Sequence, residues 1–257
     1  MQLTAIPPIA ALETVASRQT FHLVLVHLLE SSPIYANFYR KCRDRGDFIL
    51  LDNSAYELGA AAEDDLLLKW IEELRPNEFV LPDVRMRPAS TILRTQAFIE
   101  RCKTELSYLP QFAAVAQGET YSEWRACMQL LLQYPEVKTI AVIAETMEFF
   151  PGGRRELLDQ IQDVKERTNI HLLGTDDDLI EYRTIPTTHS WVRSTDSSKA
   201  VVYGLNNIRL SVESGTPVKY PGRPQDYFNV IPTEEQLEVI LQNQDVVQSW
   251  MATAVLV

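Results

Sequence analysis

The sequence predicts an α/β protein, a single-domain (β/α)8 TIM-type barrel spanning 1–257 and closed by a C-terminal helix. Three observations lead there. Short apolar runs alternate with stretches whose apolar residues recur at helical spacing, a rhythm that requires parallel strands and right-handed crossovers. No GxGxxG or Walker A pattern follows the first run, as an open nucleotide-binding sheet would show. Instead polar residues recur just past successive runs, namely Asp52, Asp83, Gln117, Glu145, Asp176 and Asp196, and barrels spread functional groups over many strand ends in this way.

After an N-terminal segment, 1–18, the run at 21–29 reads as the first strand and 33–43 as a helix. The second strand is Phe48-Ile49-Leu50-Leu51, apolar on both faces and stopped by Asp52-Asn53-Ser54. Leu66, Leu67, Trp70, Ile71 and Leu74 mark a helix over 63–74. A third strand covers 78–84. Pro88 opens a helix reaching 106 in the first-turn position that suits proline. A fourth strand over 111–118 is followed by helix 122–133, strand 139–144, helix 154–167, strand 170–173, helix 177–182 and a seventh strand at 190–193. The eighth strand falls at 200–203 or 208–211, neither of which leads at once into a helix. The C-terminal helix and tail occupy 232–257, with Leu237, Ile240, Leu241, Val246, Val247 and Trp250 as its apolar face.

A net charge of -11 excludes a global basic field for polyanions, so any nucleic-acid contact must be local. Cys42, Cys102 and Cys127 are odd in number and scattered, which argues for a reducing compartment. Neither they nor His22, His27, His171 and His189 show zinc spacing, and neither a metal nor a cofactor is expected. No membrane-length apolar run or leader pattern is present, and a cytoplasmic protein is expected.

The strongest chemical constellation is Asp52, Asp83, Gln117 and Asp196, converging on one rim if the strands are right. Paired carboxylates in a dry cleft divide labour, one ionised as nucleophile and one protonated as acid. Displacement at an anomeric carbon with retention uses such a pair about 5 Å apart. An Asp and a Gln together offer acceptors and a donor to a purine-like edge. Each acid also stands where a helix cap would, so a purely structural role accompanies every one. Asn53, Ser54 and Tyr56 line the pocket or make a turn; Arg193 and Lys199, beside Asp196, bind a phosphate or form ion pairs. Pro151-Gly152-Gly153-Arg154-Arg155 has the look of a phosphate loop or a plain turn.

Leu51-Asp52-Asn53-Ser54-Ala55-Tyr56 resembles the Asp-Ser-Gly strand end of the tRNA-guanine transglycosylases, and is closer still to their small phage and bacterial relatives that act on DNA. Val80-Leu81-Pro82-Asp83-Val84, Val115-Ala116-Gln117-Gly118, Leu172-Leu173-Gly174 and Val192-Arg193-Ser194-Thr195-Asp196-Ser197-Ser198 follow in the family's order, and Arg223-Pro224-Gln225-Asp226-Tyr227-Phe228 resembles a late segment of the small relatives. The resemblance implies a barrel that exchanges guanine in nucleic acid, DNA rather than tRNA, for a deazapurine-type base without a cofactor. It implies Asp196 as nucleophile, Asp52 as general acid/base, and Asp83, Gln117, Gly118 and Gly174 around the base. It also allows a homodimer or a partner protein. The chain departs from the tRNA enzymes in lacking their zinc cluster, in having Ala55-Tyr56 for a double glycine, and in having Ala141-Val142-Ile143-Ala144-Glu145 for a glycine-rich strand. Bulkier side chains there are expected to narrow the base pocket. A hydrolytic N-glycosidase and a catalytically silent binding barrel are the alternative readings.

Overall fold

The computed structural model describes residues 1–176, 179–213 and 218–253. Eight parallel strands, β1 (Gln2–Ala5), β2 (Phe21–Leu25), β3 (Phe48–Asp52), β4 (Glu78–Val80), β5 (Gln111–Val115), β6 (Val137–Val142), β7 (Asn169–Leu172) and β8 (Ser194–Ser197), form one sheet. Its order is β1-β8-β7-β6-β5-β4-β3-β2, so consecutive strands pair all the way round from β2 to β8 and β1 closes on β8. The result is a nearly closed (β/α)8 barrel, a single-domain α/β fold.

No ladder joins β1 to β2. The seam is closed by side chains: Leu23 donates its N–H to Thr4 Oγ1 at 3.2 Å, and Gln19 Oε1 accepts from Thr4 Oγ1 at 3.3 Å and from the Ala5 N–H at 3.1 Å.

Local chemistry places the outer helices. Helix Pro33–Arg45 starts at Ser32, whose Oγ accepts the Tyr35 N–H at 3.3 Å, continues through Pro33 at its first position, and ends at Gly46 with φ 93°. Helix Asp64–Leu74 buries Leu67, Leu68, Trp70, Ile71 and Leu74 on one face, the stripe expected for a helix laid on a sheet. Helix Glu234–Thr253 packs on helix Lys199–Leu205. Its buried Asn243 accepts from the Leu210 N–H at 2.8 Å and donates to Ile208 O at 2.9 Å, pinning the chain between the two helices.

Four assignments differ from expectation. The eighth strand is not at 200–203, which lies in helix Lys199–Leu205, nor at 208–211; the uncounted strand is β1, inside the N-terminal segment 1–18. The run at 21–29 stops being a strand at Leu25 and turns into helix Val26–Ser31. The seventh apolar run, 190–193, precedes β8 rather than forming it, so Asp196 lies within a strand instead of beyond one. The helix expected over 177–182 begins at Glu181, with 177 and 178 outside the described residues. Among the described residues no helix is long and apolar enough to cross a membrane.

Register fixes what the barrel holds inside. Parallel partners share a face, so the chain of pairs Leu50↔Glu78, Ala113↔Thr139, Ala141↔His171, His171↔Ser194 and Thr4↔Asp196 sorts the side chains into one set. That set is the lumen, because Phe21 of β2 lies 6.2 Å from the His171 ring of β7, across the barrel. Most barrels fill this space with branched aliphatics. Here Glu78, Thr139, His171, Ser194 and Asp196 occupy it together with Leu23, Leu50, Val80 and Val115, and all of them are buried.

Candidate active site

The carboxyl end of the barrel gathers Asp52, Asp83, Gln117 and Asp196, as the sequence predicts. Asp52 ends β3 and points into the lumen, since it lies two residues beyond the inward Leu50. Its Oδ2 accepts the Ser54 N–H at 2.7 Å, which the backbone permits because Ser54 sits at φ 63°. Burial pushes the Asp52 carboxyl well above the usual carboxylate range. The neighbouring Glu57 carboxylate pushes the same way, as do Asp196 and Asp83, against the pull of the Ser54 amide. These surroundings favour the protonated form of Asp52.

Asp196 stands in a different setting. Its Oδ1 accepts the Gly174 N–H at 3.1 Å and lies 3.2 Å from His171 Nε2. Gly174 reaches this position at φ 67°, and its carbonyl is held from behind by Arg154 Nη2 at 2.8 Å. The contrast between an acid desolvated among acids and an acid served by N–H donors is the division of labour that paired-carboxylate chemistry uses.

Asp83 and Gln117 form a unit. Gln117 Nε2 donates to Asp83 Oδ2 at 2.6 Å, and Gln117 Oε1 accepts the Met86 N–H at 2.9 Å. Burial raises the Asp83 carboxyl, with the Gln117 bond opposing. Gly118 is tight against the following helix, where a Cβ would lie 2.3 Å from Trp124 N. Beyond Gln117 a cavity of about 210 Å³ opens between the loops after β4, β5 and β6, lined by Met86, Gln117, Gly118, Ile143, Glu145 and Phe149. Ile143 and the turn Ala144–Phe149 thus supply one wall of this cavity.

No protein-family model matches this chain, and no curated protein does.

The remaining candidates divide. Asn53 faces the rim but serves the loop, donating to Leu81 O at 3.0 Å and accepting the Ala55 N–H at 2.9 Å; Ser54 Oγ accepts the His27 N–H at 3.2 Å. Tyr56 is 83 % exposed at the mouth and stacks under Arg223, whose guanidinium carbon lies 5.5 Å from its ring. Lys199 also sits at this end, donating to Thr175 O at 2.6 Å with its ammonium over Tyr220.

Arg193 does not join the site. It precedes β8, so it enters the barrel from the opposite end, where Nη2 donates to Glu78 Oε2 at 2.6 Å and the guanidinium covers Phe21 and Phe48 at 5.6 and 5.4 Å. A phosphate role for it in this rim is ruled out by that placement. Arg154 of the glycine-rich turn is equally committed: it is fully buried, ion-paired to Glu181, and bonded to the carbonyls of Val142, Leu173 and Gly174. All five guanidinium N–H groups are used, and none is left for a phosphate.

Sequence reasoning missed Glu57 and His27. Glu57 pairs with Arg223 at 3.2 Å, and burial raises its carboxyl against that pull. Desolvation lowers His27, which contacts Phe228 edge-on at 5.7 Å. Arg223 and Phe228 belong to the late Arg-Pro-Gln-Asp-Tyr-Phe motif, the only signal that this segment lies over the mouth. Away from the rim, His22, Cys42 and Asp47 approach one another as metal ligands would. Arg45, bonded to Asp47 through Nε at 3.1 Å and 3.8 Å from Cys42 Sγ, already supplies the positive charge there. A larger open cleft, about 320 Å³, lies where strands begin, among Lys138, Lys165 and Arg167, and holds none of the candidate acids.

Proposed function

We propose that this chain is a base-exchanging pentosyltransferase that replaces guanine or a related base in nucleic acid, DNA in preference to tRNA, with a deazapurine-type base. The observation that carries the reading is the pair Asp52 and Asp196, delivered inward by β3 and β8, each accepting one backbone N–H, with Asp52 buried among other acids and Asp196 beside His171. The acceptor and the incoming base rest on the resemblance of the strand-end motifs to the tRNA-guanine transglycosylases and their small DNA-acting relatives.

In this reading Asp196 attacks the sugar C1′ as the base departs, forming an aspartyl-glycosyl ester. Asp52, kept protonated by its surroundings, gives its proton to the leaving base and takes one from the incoming base before the ester is displaced. Asp83 and Gln117, already bonded to each other, meet the base edge as one donor–acceptor unit. Tyr56 and Arg223 at the mouth offer a ring face and a guanidinium to the flanking nucleotides.

Incubating the protein with DNA or RNA and a radiolabelled base tests the reading. Wild type should incorporate label, and Asp196→Ala should incorporate none while keeping the wild-type circular dichroism spectrum. Turnover by Asp196→Ala at the wild-type rate would end the mechanism. Release of free base without incorporation would reassign the site to hydrolysis, with water in place of the second base.

A further inference from the structure

A line of buried polar side chains runs through the lumen from the far end of the barrel to Asp196. Arg193 Nε lies 3.2 Å from Ser194 Oγ, Ser194 Oγ lies 2.8 Å from His171 Nδ1, and His171 Nε2 lies 3.2 Å from Asp196 Oδ1. Behind Arg193 stands Glu78, fully buried, which also receives the Thr139 hydroxyl. The solvent-accessible share of His171 is 0 %, so no water can substitute for either of its ring partners from outside.

The two ends of this line fix its direction. Arg can only donate, so Ser194 Oγ accepts from Arg193 Nε–H, and its own hydrogen remains available to an unprotonated His171 Nδ1. A carboxylate can only accept, so Asp196 Oδ1 requires the hydrogen on Nε2. One tautomer of His171, with the proton on Nε2, satisfies both. Its partner bond from Gly174 N–H falls on the same oxygen, Oδ1. Both donors therefore hold the carboxylate through one oxygen, Oδ1.

We propose that His171 is the positioning residue for Asp196, with its ring held from the opposite end of the barrel by Ser194, Arg193 and Glu78. This rests on the reading of Asp196 as the nucleophile, and the lumen line deepens it. Residues that orient a reacting group in this way cost activity through misplacement rather than through lost substrate contacts.

Two measurements on the full-length protein test it. In base-exchange assays His171→Phe should lower kcat by about tenfold to a hundredfold with KM for the base nearly unchanged, and His171→Gln, whose amide can still donate to Asp196, should recover part of the loss. Unchanged kcat in His171→Phe, or a loss that falls on KM alone, overturns the proposal. Independently of any activity, nitrogen NMR of histidine-labelled protein should show His171 with its proton on Nε2, and Ser194→Ala, which removes the partner of Nδ1 and leaves Asp196 in place, should shift the Nδ1 resonance while the proton stays on Nε2. A proton found on Nδ1, or a His171 spectrum unaltered by Ser194→Ala, refutes the relay. If wild type exchanges no base while the tautomer behaves as stated, the function fails and the positioning line stands.

Discussion

At the scale of single residues, Asp52 is a carboxyl whose surroundings oppose its charge. Its carboxyl is raised by burial first and by Glu57 next. Below about pH 4, where an unfolded Asp also holds its proton, this raises no difference between folded and unfolded chains. As pH climbs, the unfolded chain releases that proton while the folded one keeps it, and stability falls until pH passes the folded value. Asp52→Asn cannot ionise and keeps an oxygen for the Ser54 N–H. It should therefore melt higher than wild type at pH 7, by roughly 2–4 °C per kcal/mol recovered, with the gap closing toward pH 4. Asp176, pushed up to about 6 chiefly by burial, adds a slope of the same sign between about pH 4 and pH 6. Melting curves of wild type and Asp52→Asn at pH 4, 5.5 and 7 decide this; a gap that widens toward acid would contradict it. Asp52, Asp83, Gln117 and Asp196 were legible as acids and amides after apolar runs. Glu57 was not, because a Glu in the first turn of a four-residue helix looks like any surface residue until Arg223, 166 positions away, closes over it.

At the scale of elements, the polar strand β8 and the apolar helix Lys199–Leu205 invert the usual signals. Ser194-Thr195-Asp196-Ser197 reads as a turn, yet it is a strand because its side chains find partners on β7: Ser194 meets His171, and Thr195 donates to Leu172 O at 3.0 Å. Ala200-Val201-Val202-Tyr203 reads as a strand, yet it is helical and buried all round, enclosed between the barrel and helix Glu234–Thr253. Local propensity yields to tertiary burial in both cases. The helix pair meets closely at Gly204, where a Cβ would fall 2.4 Å from Ile240 Cγ1 and 2.7 Å from its Cα. Backbone on that side cannot step aside as a flexible side chain would. Gly204→Ala should cost about 1–3 kcal/mol by overpacking, although alanine is the better helix former. Urea titration checks it. A neutral or stabilising result would show that the two helices can slide apart without loss.

At the scale of the whole molecule, seven strand pairs carry ladders and the eighth junction does not, and among the described residues Thr4 and Gln19 carry the hydrogen bonds across that seam. The sequence hid this junction because Gln2-Leu3-Thr4-Ala5 is short, begins polar and runs into Pro7-Pro8, features that suit an irregular N-terminal segment as well as a strand. The seam matters to the site because β1 pairs with β8 residue for residue, and Thr4 lies opposite Asp196. Thr4→Val keeps the volume but removes the acceptor of the Leu23 N–H and one of the two donors to Gln19 Oε1, leaving the buried Leu23 N–H without a partner at a cost of about 1–3 kcal/mol. That loss should be local before it is global, since a junction with fewer hydrogen bonds opens at lower free energy than a laddered one. In hydrogen exchange, the amides of Leu23 and Ala5 should exchange sooner in Thr4→Val than in wild type, while those of Ala113 and Ala114 in β5 change only by the global difference. If the proposed base exchange is this chain's activity, it should fall with the seam, because β8 then loses the neighbour that holds Asp196 in register. Equal acceleration across β1, β2 and β5 would mean that the barrel opens as one unit and that the seam is no weaker than its ladders.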